Sequence, residues 1–100
     1  MLKPADPDQL AELFSALGSD TRIRILRELA QQPLCVGALA MRLDMTQSAI
    51  SQHLAVLRNA GLVQSDKRGS YVHYRLTEDA HQSCRAALDD VIHAPDEEGK

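Results

Sequence analysis

The chain has 100 residues, of which 44% are hydrophobic and three are aromatic, so it can enclose one aliphatic core. Its apolar runs are far shorter than the roughly 20 residues of a membrane-spanning helix. Its first residues, MLKPADPDQL, lack the pattern of a signal peptide, and its two cysteines are too few for a disulfide scaffold. We therefore expect residues 1–100 to form a single cytoplasmic domain without a membrane partner.

The net charge of −3 is unevenly distributed along the chain. Residues 45–76 carry +3, whereas residues 1–44 carry −1 and residues 77–100 carry −5. A basic segment beside acidic ones is compatible with DNA binding, because a nearby phosphate responds to the local potential. Two copies in a dimer would double the basic surface, so the acidic total does not exclude nucleic acid.

Three helices are predicted in the first half of the chain. The first covers residues 6–17, where apolar side chains recur at helical spacing until Gly18. Asp20 is the expected N-cap of a second helix over residues 21–31, which a following proline ends. A third helix is expected over residues 36–43, and only a two-residue turn separates it from the next helix.

A fourth helix is predicted between Thr46 and Gly61, a favourable N-cap and a favourable C-terminal stop. Three of its large apolar residues recur on one helical face: Ile50, Leu54 and Leu57. The opposite arc carries polar side chains: Gln47, Ser48, Ser51 and Gln52. Amides and hydroxyls can pair with base edges in the major groove. Residues 36–60 therefore predict a helix-turn-helix, although an ordinary amphipathic surface helix has the same spacing.

After Gly61 the hydrophobic period changes from helical to alternating. Short strands are predicted over residues 62–65 and 71–76, joined by a turn with Lys67 and Arg68 at its tip. A basic hairpin directly after a helix-turn-helix is typical of a wing, whose tip can lie along phosphates or in the minor groove. The alternative interpretation of residues 62–76 is a hairpin with an ordinary solvated turn.

The C-terminal part is predicted to form a helix over residues 78–93 and a flexible acidic tail over residues 94–100. The resulting fold class is mainly α with a small β-hairpin, a winged helix-turn-helix. An enzyme is not expected, because the chain has no glycine-rich phosphate loop and no nucleophile beside a base. The alternative function is a winged-helix interaction module that does not bind DNA, whose contacts would respond weakly to salt.

Four stretches of the chain resemble, in order, the ArsR-type family of small bacterial winged-helix repressors. They are ALGSDTRIRILREL, LCVGALAMRL, TQSAISQHLAVLRNAGLV and RGSYVHYRL. The resemblance implies a homodimer that pairs through the helices at residues 6–17 and 78–93. It also implies that the fourth helix and the wing contact an imperfect palindrome in double-stranded DNA. Members usually repress their own operon and release DNA when an effector binds.

The resemblance also assigns roles to individual residues. Four side chains match the positions that face DNA in this family: Gln47, Ser48, Ser51 and Gln52. His53 is expected to be partly buried and hydrogen-bonded rather than to read a base. Arg22 is expected to be structural or to face a phosphate. Met41 and Met45 are expected to be packing residues.

The first candidate effector residue is Cys35, in the segment LCVGAL. This segment is similar to the one in which metal-sensing members carry a cysteine pair and an acid. Here Gly37 stands in place of the second cysteine and Ala38 in place of the acid. One thiolate does not make a soft-metal site. A position at a helix N-terminus can still raise thiol reactivity, and a small buried side chain is the alternative.

A second candidate is a metal site at Asp79, His81 and His93, with Asp96. The pattern is similar to the zinc-type site on the last helix of other members, but the gap between the histidines is one residue longer. One residue rotates a helical position by about 100°. His81 and His93 could therefore share an ion only across a dimer.

A third candidate combines Cys84 with His81, three residues earlier on the same helical face, or with Cys35. Cys35 and Cys84 could together form a thiol redox or metalloid sensor. Cys84 also shares its face with Leu88, where a cysteine can serve as a small apolar residue of a dimer seam. The sequence establishes no cofactor, and a divalent metal or a metalloid remains the candidate effector.

Overall fold

A computed structural model of the chain describes residues 6–93 as five helices and a small antiparallel sheet. The helices are α1 (Pro7–Leu17), α2 (Asp20–Leu29), α3 (Val36–Leu43), α4 (Gln47–Asn59) and α5 (Ala80–Ile92). The strands are β1 (Leu34–Cys35), β2 (Val63–Arg68) and β3 (Tyr71–Leu76). The predicted class, mainly α with a β-hairpin behind a helix-turn-helix, is confirmed. The tail predicted over residues 94–100 lies outside the described residues.

The junction between α1 and α2 differs by one residue from the prediction. The amide of Gly18 donates to the Ser15 carbonyl at the end of α1. Ser19 is then extended, with φ −131° and ψ 128°, and its hydroxyl accepts from the Arg22 amide at 3.2 Å. Ser19 is therefore the N-cap, and the prediction of Asp20 was wrong. Asp20 begins the helix instead, where its carboxylate faces the positive end of the helix dipole.

A tight turn joins α3 to α4 and fixes the helix-turn-helix. Asp44 adopts a left-handed conformation with φ 57°, which a short polar side chain tolerates better than a branched one. The Met45 amide donates back to the Ala40 carbonyl at 2.9 Å. Thr46 then caps α4, because its hydroxyl accepts from the Ala49 amide at 3.1 Å. The predicted cap at Thr46 is thus confirmed.

The sheet has the strand order β1-β3-β2, with antiparallel pairing throughout. β2 and β3 pair from Val63↔Leu76 to Arg68↔Tyr71, so only Gly69 and Ser70 form the turn. Gly69 has φ 63°, a conformation that favours glycine in a two-residue hairpin turn. The predicted turn over residues 66–70 was therefore too long. The prediction also lacked β1, because two residues are too few to show an alternating pattern.

The core lies beneath the helix-turn-helix and the sheet. Its large buried side chains are Ile25, Leu29, Leu34, Leu39, Leu43, Ile50, Leu54, Leu57, Leu62 and Val63. Met45 packs against this core as predicted, but Met41 is 82% exposed, so its predicted packing role was wrong. Met41 lies on the outer side of α3, opposite the face that buries Leu39 and Leu43. Among residues 6–93, no helix has the length and hydropathy needed to cross a bilayer.

Candidate nucleic-acid interface

The polar front of α4 is exposed along the N-terminal half of the helix. Its members are Gln47, Ser48, Ser51 and Gln52. Within residues 6–93, no hydrogen bond to another residue engages these four side chains. Their amides and hydroxyls can therefore donate to and accept from an external partner, as base edges and phosphates require. The structure brings together all four residues that the sequence predicted for this surface.

The opposite face of α4 anchors the helix to the core. Ile50, Leu54 and Leu57 are each at most 1% exposed. In the last turn of the helix, the Arg58 Nη1 group lies 3.4 Å from the Ser65 hydroxyl on β2. The polar front thus stands on a helix that is packed on one side and joined to the wing at its end. Such a helix holds its exposed side chains in a defined orientation.

The wing places two cations close to its turn. Lys67 and Arg68 are exposed at the end of β2, where the sequence placed them in the turn itself. Asp66 pairs with Arg75 across the strands, with 2.6 Å between Oδ2 and Nε. The hydrogen bond from Arg75 lowers the pKa of Asp66, so this carboxylate and this guanidinium neutralise each other. Lys67 and Arg68 therefore carry the positive potential of the wing tip.

Tyr71 is a surface residue of the wing that the sequence analysis did not single out. It is 64% exposed, it pairs in register with Arg68, and its ring lies 6.1 Å from that of His73. Tyr74 instead packs against the core. Residues three apart on a strand face opposite sides, so only one of the two tyrosines can face the core. That alternation was the available signal for an exposed aromatic ring beside the basic tip.

His53 and Arg22 lie behind the polar front and contact each other. The Arg22 Nη1 group lies 3.2 Å from His53 Nδ1, and His53 is half-buried. Burial, followed by the positive charge of Arg22, lowers the pKa of His53. The expectation that His53 is partly buried and hydrogen-bonded is confirmed, and Arg22 has the structural contacts expected of it.

The two cysteines occupy different elements and both are free thiols. Cys35 is the N-cap residue of α3, as expected for a helix N-terminus, and pairs in register with His73 of β3. Cys84 lies on α5, half-buried against the core. Burial raises the pKa of the Cys84 thiol, which disfavours the nucleophilic thiolate at neutral pH.

The predicted metal ligands are spread along α5. Asp79 precedes the helix, His81 lies in its first turn, and His93 follows its last residue. Within residues 6–93 of one chain, no group of three or more His, Cys, Asp or Glu side chains is close enough to hold a metal ion. A site at these residues would therefore need ligands from a second chain, as the irregular spacing already implied.

An apolar groove of about 370 Å³ runs beside α5. Its walls come from α1, α2, α5 and the ends of the sheet strands, and His81 and Cys84 lie among them. The other lining residues are Leu17, Ile23, Leu26, Arg27, Ala30, Leu62, Leu76 and Ala80. The groove therefore collects two of the candidate effector residues, whereas Cys35 lies elsewhere, at the start of α3.

Comparison with known proteins places this geometry among bacterial regulators. Residues 19–65 match the family model described as "Bacterial regulatory protein, arsR family". The chain is 41% identical to the "Transcriptional repressor SmtB homolog" of Synechocystis over 70 residues, which are 70% of this chain. That match spans only 53% of the length of the relative.

Two further comparisons cover more of each molecule. The "Arsenic resistance transcriptional regulator ArsR1" of Pseudomonas putida is 38% identical over 85% of this chain and 67% of its own. A solved structure, an "ArsR-like Transcriptional Regulator from Rhodococcus sp. RHA1", superposes with a TM-score of 0.76 at 35% identity. This superposition covers 82% of the present chain and 75% of the other.

Proposed function

The chain belongs to the arsR family of bacterial regulatory proteins, which are DNA-binding transcriptional regulators, and we propose that it acts as a homodimeric repressor. In this proposal two copies of α4 enter the major groove of an imperfect palindrome. The two wings contact the flanking backbone. The protein then represses its own operon in the cytoplasm and leaves the DNA when an effector binds.

The observation that carries the proposal is the combination of an uncharged polar front with a basic wing. Gln47, Ser48, Ser51 and Gln52 supply hydrogen bonds for base edges, and Lys67 and Arg68 supply charge for phosphates. Both groups are exposed and follow each other in the chain. A protein-interaction module would be expected to present apolar or acidic residues at these places instead.

The exposed apolar residues of α5 support the homodimer. Leu88, Val91 and Ile92 are 48%, 52% and 70% exposed, while the same helix buries only Ala80 and Ala87. A second copy of α5 would remove these side chains from water and so contribute hydrophobic stabilisation. Two α4 helices related by a twofold axis could then read half-sites about one DNA turn, roughly 34 Å, apart.

The effector is proposed to be a thiol-reactive compound, a metalloid or a divalent metal. The relative from Pseudomonas putida is named as an arsenic resistance regulator, which supports a metalloid effector. Cys35 and Cys84 are the candidate thiols, and Asp79, His81 and His93 are the candidate metal ligands shared between two chains. Both cysteines are free thiols in the structure, which is compatible with reaction with a thiol-reactive compound and with binding of a metalloid.

A mobility-shift titration on the DNA upstream of the protein's own gene tests the function. We expect tight binding that weakens steeply as salt is raised, because phosphate contacts release counterions. An affinity that does not change with salt concentration, or that is the same for this DNA and for a scrambled duplex, would contradict the proposal.

The same titration with reductant, arsenite, an oxidant or zinc separates the effectors. Loss of binding with arsenite or oxidant that Cys35→Ser or Cys84→Ser prevents would identify a thiol sensor. Loss with zinc that His81→Ala prevents would identify the shared metal site. Binding that none of these reagents changes would leave the two cysteines as packing residues and exclude these effectors.

A further inference from the structure

We infer that Arg22 and His53 are positioning residues that set the orientation of α4 relative to α1 and thereby control sequence discrimination. The inference rests on the proposed function only in that α4 must read DNA bases. Neither residue is placed on the DNA-facing surface. Both act through the four polar side chains at the front of α4.

Arg22 joins three elements through its guanidinium group. From α2, its Nε donates to the Ala16 carbonyl at 2.8 Å and its Nη2 donates to the Ser15 carbonyl at 3.1 Å. Both carbonyls belong to the last turn of α1, where carbonyl groups lack the usual partner four residues later, and the Ser15 carbonyl also accepts from the Gly18 amide. The cation also lies at the negative end of the α1 dipole. Arg22 is therefore held firmly against α1 before it reaches α4.

The third bond of Arg22 crosses to α4. Its Nη1 lies 3.2 Å from His53 Nδ1, and the two residues are 31 positions apart in the chain. A guanidinium can only donate, so Nδ1 must accept and the proton of the neutral imidazole must be on Nε2. The lowered pKa of His53 agrees with a neutral ring. A ring engaged in this way is a structural contact of α4 rather than a base reader.

This bond adds a directional restraint to the apolar packing of α4. Leu54 and Leu57 bury their side chains in a core whose attraction is not directional. A hydrogen bond weakens steeply when its angle or distance changes. Because His53 follows Ser51 and Gln52 within the same helical turn, a fixed His53 also fixes the azimuth at which these two side chains leave the helix.

The link also connects recognition to dimer geometry. α1 is one of the two helices proposed to pair with the second copy, and Arg22 joins its last turn to α4. The distance between the two α4 helices in a dimer then depends on the position of α4 relative to α1. The pair should therefore affect both base discrimination and the preferred spacing of half-sites.

The test compares His53→Leu with His53→Asn. Leucine keeps apolar volume but removes the acceptor, whereas the asparagine Oδ1 can take the place of Nδ1 and is the matched control. The probes are a duplex selected from random DNA by the wild-type protein and a scrambled duplex of the same length. Fluorescence anisotropy gives the ratio of the two affinities, and circular dichroism with urea unfolding verifies that each variant is folded.

We expect His53→Leu to lower the specific-to-scrambled affinity ratio about tenfold, because Ser51 and Gln52 would no longer be held at the angle at which they contact base edges, and one lost base contact changes affinity by about this factor. His53→Asn should retain most of the ratio. Arg22→Gln breaks the same contact and also the two bonds to α1, so it should lower the ratio at least as far as His53→Leu does. Adding His53→Leu to Arg22→Gln should lower the ratio little further, because the contact between the two residues is already lost. His53→Leu should also tolerate one base pair inserted between the half-sites better than the wild type does.

A folded His53→Leu variant that keeps the wild-type ratio and spacing preference would overturn the inference. Equal weakening on both duplexes would also overturn it, since that is the effect of a merely structural role. If Arg22→Gln fails to fold, the two His53 variants decide the question alone. If the wild-type protein selects no sequence at all, the proposed function itself fails, which is a distinct result.

Discussion

The helix-turn-helix with its wing and the C-terminal helix α5 differ in how much of their apolar surface one chain buries. α4 buries Ile50, Leu54 and Leu57 in the chain's own core, leaves only Val56 among its large apolar residues exposed, at 39%, and exposes its polar front. α5 buries two alanines and exposes Leu88, Val91 and Ile92. The surface proposed to read DNA is thus complete in one chain, whereas α5 leaves an apolar face exposed that the proposed dimer would cover.

The candidate effector residues follow the same division. Cys35 lies at the start of the helix-turn-helix, whereas His81 and Cys84 lie in the groove beside α5. A ligand that binds at α5 would act where a second chain is proposed to dock. Such a ligand could change DNA binding by changing the dimer, without touching α4.

The largest expected effect comes from disrupting the proposed dimer seam on α5. Leu88→Asp would place a charge in the proposed dimer seam, and we expect a monomer in sedimentation velocity. Affinity for a two-half-site duplex should fall by on the order of a hundredfold or more, because the second half-site contact is no longer intramolecular. The winged helix should remain folded by circular dichroism.

Ala86→Asp is the matched control for the seam. Ala86 is exposed and two residues from Leu88, so it lies about 200° away around the helix. This variant should remain dimeric and bind DNA as the wild type does. A Leu88→Asp protein that sediments as a dimer would remove α5 from the interface.

The second largest effect is expected at the polar front of α4. Gln47→Ala removes an exposed amide from the front of α4, and we expect an affinity loss of about 1–3 kcal/mol for the selected duplex. Affinity for scrambled DNA should be unchanged, and a base-substitution series should lose its preference at one position per half-site. Equal losses on both duplexes would argue against base reading by Gln47.

A smaller and sequence-independent effect is expected at the wing. Lys67→Ala should weaken selected and scrambled duplexes alike, and should reduce the slope of log affinity against log salt by about one unit. Lys67→Arg keeps the charge and should keep the slope. If Lys67→Ala leaves the slope as in the wild type, the wing does not touch phosphate at this residue.

The smallest effect tests the ion pair that supports the wing. The pKa of Asp66 is lowered in the folded protein, so the stabilisation from its pairing with Arg75 is present above the unfolded-state pKa. It is lost as the pH falls through the folded-state value. Asp66→Asn should therefore unfold more easily than the wild type in urea at pH 7, with a modest difference because both side chains are about one-third exposed. The difference should diminish at acidic pH, and a constant difference would exclude the ion pair as its cause.

Much of the fold could be predicted because its signals are local. Thr46 and the spacing of Ile50, Leu54 and Leu57 lie within one helix, so they specify both its start and its buried face. The same pattern identified the polar front, which the structure exposes. The resemblance to the family added the expected dimer and palindrome, which remain proposals.

Features that depend on distant partners could not be predicted in the same way. The predicted turn began three residues too early, because β2 continues in register with β3 as far as Arg68, and within this stretch Asp66 pairs with Arg75 across the two strands. Met41 is a different case, because local spacing did carry the signal: Met41 lies about 200° around α3 from both Leu39 and Leu43, on the exposed side of the helix.

The sequence by itself determined the helix boundaries near α4, its two faces and the basic character of the hairpin, because neighbouring residues encode caps and periodicity. Only the tertiary structure decided that β1 adds to the sheet and that Cys84 lies in an apolar groove. It alone also brought Arg22 to His53. These contacts join segments far apart in the chain, and their geometry arises from packing of the whole core rather than from any local pattern.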